Sequence, residues 1–201
     1  MIRILYDYMM KKLLIFIVFN FYLINPSYGN QIEDFQIEDI SMWDSALKHF
    51  SKAEIINNKK LYYQYIKKDK DMFSTSEISG NYENYDVLQF SYKTNDPKFK
   101  IYYIAGIIDF DNDVESCYEK KKEVEKDLKI LFPNLRNTES NIKLRADPTG
   151  QSFAKSKVFW FPNNAYNVAI RCYDWSSQSQ RTDHLRINIK SKQFNDWIGE
   201  K

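Results

Sequence analysis

Four carboxylates recur at every second position, Asp109, Asp111, Asp113 and Glu115, and oxygen donors at that spacing are what a calcium loop supplies. Counted as such a loop from Asp109, the chain has Val114 where glycine is needed and Lys120 where the closing bidentate glutamate belongs. Counted from Asp111 it fails likewise, with Ser116 and Lys122 at those places. The set is therefore a weak divalent-metal candidate. The same acids also suit the start of the helix that follows, where they would cap it and complement its dipole.

Cys117 and Cys172 are the only cysteines. Two thiols and no third, in a chain bound for an oxidising compartment, point to one intramolecular disulfide. Closing a loop of that length would stabilise the fold by about 4 kcal/mol, less any native strain. The competing chemistry, a catalytic thiol with His184 as its base, needs an exposed and acidified cysteine. Both cysteines instead fall on apolar faces of the elements expected to carry them.

No Gly-rich phosphate loop, GxSxG elbow or HExxH pair is present. His49 and His184 are the only histidines, so a zinc site would need carboxylates to complete it. Acid pairs for glycoside hydrolysis are too numerous for one to be singled out. Trp43, Trp160, Trp175 and Trp197 could build a sugar platform or could be packing residues. No cofactor is called for by any of these patterns.

The setting for this chemistry is given by the first thirty residues. Lys11 and Lys12 precede an apolar run from Leu13 to Ile24, and Pro26 leads to the small residues Ser27 and Gly29. These features make residues 1–29 a secretory signal peptide cleaved after Gly29. The run is short for a spanning helix, although an uncleaved anchor is the alternative. A start at Met9 or Met10 would fit as well as Met1. With no cysteine near the cleavage point a lipid anchor is not expected. The mature protein would be periplasmic or secreted, touching membrane only through the signal peptide during export.

Charge supports the same picture. The full chain has 29 basic and 27 acidic residues, and removing Arg3, Lys11, Lys12 and Asp7 with the signal peptide leaves the remainder balanced. That argues against nucleic acid or an anionic membrane as a partner. Lys120, Lys121 and Lys122 are interleaved with Glu119, Glu123 and Glu125, as on a solvated, ion-paired helix face. Tyr and Phe number 15 and 14 while Gly and Pro number 5 each. That bias fits AT-rich coding as well as it fits an aromatic binding surface.

The elements that must position these residues can be read from periodicity. Residues 30–40 form a polar leader, and 41–201, roughly 160 residues, suffice for a single domain. Ser41 with Asp44 suggests a helix from Met42 to Phe50, and Ser51 with Glu54 a second short turn. Lys59–Ile66 is ambiguous, and Lys67–Glu83 reads as a surface loop. Leu88, Phe90 and Tyr92 alternate with polar residues, and after a turn at 95–98 a strand apolar on both faces runs from Phe99 to Phe110. Asn112 and Glu115 then cap a helix over Asp113–Leu131, whose Val114, Cys117, Val124, Leu128 and Leu131 share one face. Asp147–Gly150 suits a type I turn. Strands follow at Lys157–Phe161, Tyr166–Trp175 and His184–Lys190, the last with Arg186, Asn188 and Lys190 on a solvated face. A terminal helix capped by Ser191 buries Phe194, Trp197 and Ile198. The whole is an α+β domain, a mainly antiparallel sheet of about five strands with a long helix packed on one face.

Four segments together, FQIEDISMWDSALKHFS at Phe35–Ser51, YYIAGIIDFDNDVESCYEKKKEV at Tyr102–Val124, DPTGQS at Asp147–Ser152 and CYDW at Cys172–Trp175, resemble a group of uncharacterised exported proteins of marine alphaproteobacteria with small, AT-rich genomes. The group's first motif carries Gly where Trp43 stands here. The resemblance implies a periplasmic or secreted setting and brings no activity or catalytic residues with it. The expected function is a non-enzymatic binding or envelope-interaction protein whose partner is an envelope protein or a small ligand. The alternative is a small hydrolase or carbohydrate-active protein using carboxylates.

Overall fold

The computed structural model describes residues 32, 35–63 and 72–199; the segment read as a signal peptide lies outside them. A two-residue hairpin, β1 (Gln36–Ile37) and β2 (Ile40–Ser41), precedes a single 3-10 turn at Ala46–Lys48 and a short helix α1 (Lys52–Asn57). Next come β3 (Lys59–Lys60), β4 (Phe73–Ser79), β5 (Val87–Lys93) and β6 (Ile101–Asp109). The long helix α2 (Val114–Leu131) leads to β7 (Arg136–Lys143), β8 (Phe153–Trp160), β9 (Tyr166–Asp174) and β10 (His184–Ser191). Helix α3 (Lys192–Ile198) follows directly. Strands β3 to β10 make one eight-stranded antiparallel sheet in the order β3-β4-β5-β6-β10-β9-β8-β7. It is two meanders joined edge to edge, with α2 carrying the chain from the central β6 out to the far edge.

The sheet is therefore wider than the five strands the periodicity suggests, and the reason is local polarity. β7, RNTESNIK, is an edge strand exposed along its whole length, so neither face needs apolar residues. β4, FSTSEIS, buries hydroxyls instead of methyls. Thr75 and Ser91 share a hydrogen bond of 2.7 Å across the β4/β5 pair, and the Ser76 hydroxyl donates to the Ile55 carbonyl at 2.7 Å. Satisfied in this way, the hydroxyls carry little desolvation cost.

The helix expected over Met42–Phe50 is largely absent. Tertiary pairing overrides the local signal: the Trp43 and Ala46 N–H groups donate to the Ile101 and Phe99 carbonyls, and Ile101 N–H donates to the Asp44 carbonyl. Only the turn at Ala46–Lys48 remains, capped by Ser45 and not by Ser41. Trp43 sits at φ 73, a left-handed conformation that favours glycine. Nor is the stretch before it a loose polar leader, because Ile32, Ile37 and Ile40 are buried in the main core. The described residues form one compact unit.

The locally encoded elements stand as read. α1 carries the full capping box of Ser51 and Glu54. Helix α2 starts one residue later than expected, capped by Asp113, which accepts from Ser116 N, and not by Asn112. The Cys117 and Cys172 sulfurs are 2.06 Å apart, a disulfide joining α2 to β9 inside the core. Gly106 in β6 leaves room for the Tyr85 ring, which an added Cβ would meet at 2.3 Å.

Alternation sorts the sheet into two faces. Leu88, Phe90, Ile104, Val168, Ile170, Cys172, Leu185, Ile187 and Ile189 point at α2 and the N-terminal segment. Gln89, Tyr103, Arg186, Asn188 and Lys190 point the other way. That second face is not solvated as expected. Asn188 and Lys190 are 0% and 3% exposed, because α3 folds back over it and packs Phe194 against Tyr103 and Phe73 at ring distances of 5.0 and 5.3 Å.

Candidate functional site

Beyond the part covered by α3, the second face holds a cleft of about 620 Å³. Its floor is set by strand register. His184 lies opposite Asp109 of β6 and Tyr173 of β9, and Arg186 lies opposite Ile107 and Arg171. Glu77 and Gln89, opposite each other on β4 and β5, extend the floor, and Tyr62 and Tyr63 wall it. Arg145, Trp175 and Arg181 come from the loops at its rim.

The rim is fixed by a single carboxylate. Asp147 accepts from the Ser152 hydroxyl at 2.6 Å, the Thr149 hydroxyl at 2.7 Å, the Ser176 hydroxyl at 3.0 Å, and the N–H groups of Thr149 and Ser152. Those bonds, the one from Ser152 foremost, hold its carboxyl well below the usual range against the opposing effect of burial. They tie the turn after Leu144, where Gly150 takes φ 70, to the strand end that carries Trp175. The DPTGQS segment is thus a rim clamp.

Arg186 is the most unusual residue on the floor. It lies 5.3 Å from the Tyr173 ring centroid, within cation–π range, and no carboxylate approaches it within 4 Å among the described residues. Its Nε is buried without a hydrogen-bond partner. Burial works against its charge, and the negative charge of Glu77 favours it, so its pKa stays above the ordinary value. Its cross-strand neighbour is a second arginine, Arg171, which donates to Ser156 at 3.1 Å and to Asn188 at 3.3 Å. Like charges directly opposite on a sheet repel.

His184 stacks on Tyr173 with centroids 4.4 Å apart and planes 12° from parallel. Burial first, then the charge of Arg186, push its pKa down to about 4, so it is neutral at pH 7. Its Nδ1 lies 3.0 Å from the Thr182 carbonyl, an atom that can only accept, so Nδ1 carries the proton. Nε2 is then a lone-pair acceptor, buried and without a partner. Trp175 adds an unpartnered donor at Nε1, with Arg181 4.7 Å from its ring. Native proteins leave few buried polar atoms unpaired, and here three such atoms belong to side chains that line one cleft.

Two carboxylates share it. Glu77 Oε2 accepts from the Tyr62 hydroxyl at 2.7 Å and the Gln89 amide at 2.8 Å. Burial, with Asp86, Asp111 and Glu77 nearby, raises the pKa of Asp109.

Of the residues singled out from sequence, Asp109 reaches the cleft while Asp113 caps α2, and Asp111 and Glu115 are exposed. Among the described residues no three His, Cys, Asp or Glu side chains are grouped to hold a metal. The tryptophans are dispersed too. Trp43 donates to the Tyr166 hydroxyl at 3.1 Å, Trp160 to Thr138 at 3.0 Å, and Trp197 packs around Phe73 and Phe194; only Trp175 lines the cleft. His49 lies 3.9 Å from Asp44 and does not line the cleft. Sequence reasoning missed Arg186, which looks like any outward residue of an alternating strand. It saw in His184 only a partner for a thiol.

Comparison of the chain with protein-family models, with curated proteins and with solved structures finds no match. No described helix is long and apolar enough to cross a membrane.

Proposed function

We propose that this chain is an exported binding domain that holds a small organic anion in the cleft on the α3 side of its sheet. The observation that carries this reading is Arg186, a half-buried guanidinium with no carboxylate in ion-pair range among the described residues and a buried, unpartnered Nε. A guanidinium with an unused donor in a cleft is completed by an anionic ligand through a charge-assisted contact. The arginines at the rim would draw such a ligand in. Export is supported by the signal-like first segment and by the Cys117–Cys172 disulfide, which suits an oxidising compartment. The test is a thermal-shift screen of organic acids against neutral solutes of the same size, run on the wild type and on Arg186→Gln. The reading expects acids that raise the melting temperature of the wild type only. A screen in which no acid shifts it, or in which Arg186→Gln responds equally, overturns the reading.

One observation favours a second reading, a carboxylate-based hydrolase. Glu77 and Asp109 line the same cleft as Tyr62, Tyr63 and Trp175, and the raised pKa of Asp109 is what a general acid needs. Glu77, however, already accepts two hydrogen bonds through one oxygen. Turnover of a generic glycoside or ester substrate that disappears in Asp109→Asn would establish this reading in place of the first.

A further inference from the structure

Resting on the anion-binding reading, we infer that the cleft selects 2-hydroxy carboxylic acids, with Arg186 taking the carboxylate and His184 Nε2 accepting the hydroxyl proton.

The two side chains are two residues apart on β10 and so project from the same face. Their Cα atoms are about 6.6 Å apart along the strand, a span that one small ligand bridges. Their unpartnered atoms have opposite roles: Arg186 Nε donates, and His184 Nε2, with its proton fixed on Nδ1 by Thr182, accepts. A plain carboxylate satisfies the first and leaves the second buried and unpaired. A carboxylate with a hydroxyl on the adjacent carbon satisfies both. An unpaired buried acceptor is the device by which sites reject analogues lacking a donor.

Charge narrows the class further. Among the described residues Arg145, Arg181 and Arg186 line the cleft together with Glu77 and Asp109, a nearly balanced set that suits a monoanion and opposes a phosphate dianion. An α-ammonium would also donate to His184 Nε2, so norleucine is the control that separates an amino acid from a hydroxy acid.

The experiment is calorimetric titration at pH 7 with two pairs that differ by one hydroxyl, 2-hydroxyhexanoate against hexanoate and mandelate against phenylacetate, using both enantiomers of each hydroxy acid. In the wild type the hydroxy member should bind at least tenfold more tightly. In His184→Phe, whose ring keeps the stack on Tyr173, the two members should bind alike. His184→Gln retains an acceptor and should keep part of the preference, which guards against a variant that merely misfolds. Equal affinities in the wild type, with binding still dependent on Arg186, overturn this inference and leave the anion-binding reading standing. A hydroxyl preference that survives in folded His184→Phe overturns it, as does tighter binding of norleucine or inorganic phosphate. Failure of all four acids to bind overturns both readings.

Discussion

The two faces of one sheet have been built to different rules. On the α2 side the inward residues are aliphatic or aromatic, and a disulfide ties the covering helix to β9. On the α3 side the same strands bury Gln89, Ser91, Asn188 and Lys190 and hold Arg186 in an open cleft. Burying apolar surface stabilises by about 25 cal/mol per Å², whereas buried polar groups at best break even when every hydrogen bond is made. The first face is the source of the fold's stability. On the second, partners are missing at Arg186, His184 and Trp175 in the cleft and at Asn188 Nδ2 beside it. Such defects concentrate where a ligand completes the set.

This contrast can be broken most forcefully at the disulfide. Replacing Cys117 and Cys172 by serine should cost about 4 kcal/mol, and scanning calorimetry should show the melting temperature fall by about 10 °C for a domain of this size. If the loss is under 2 °C, α2 is held by packing alone. Next, Ile170→Ala under the helix should cost about 3 kcal/mol in denaturant titrations, because the site is fully enclosed and cannot collapse.

On the other face the largest effect is of similar size but depends on pH. His184 has a folded pKa of about 4 against an ordinary 6.5, so as pH falls the unfolded chain takes up the proton first. The stability that this difference contributes is fully present above about pH 6.5 and is lost as pH falls toward about 4. It amounts to roughly 3 kcal/mol, by the free energy equivalent to each pKa unit. The slope of unfolding free energy against pH in that window should flatten in His184→Phe, and an unchanged slope would assign it to other groups. Smallest of all, Arg186→Met should change stability by no more than about 1 kcal/mol, since the half-buried guanidinium has no carboxylate against it among the described residues. A marked loss on equilibrium unfolding would make Arg186 a structural residue and reverse the contrast between the faces.

The parts of the fold that were legible are those with local causes. The β5/β6 hairpin, β9 and β10 announce themselves by alternation, α2 by its apolar stripe, and α1 by the reciprocal bonds of Ser51 and Glu54. β4 and β7 were hidden because buried hydroxyls and an exposed edge leave no apolar period to read. The Met42–Phe50 helix fails because Phe99 and Ile101 offer that backbone better partners than its own turns do. The acidic run at Asp109–Glu115 was read as one unit, but β6 ends within it. That sends Asp109 toward the cleft and leaves Asp113 at the start of α2.

By itself, then, the sequence determined the α+β class, the pairing of the only two cysteines and the helix that carries one of them, since each follows from residue type and short-range period. Tertiary structure alone decided the cleft. Its members run from Tyr62 to Arg186 and come from five strands and their loops, and they meet only because β6 pairs with β10 at the sheet's centre. No local pattern distinguishes an arginine pointing to water from one pointing into a cleft. That depends on whether α3 and the rim held by Asp147 rise around it, and both are long-range facts of packing.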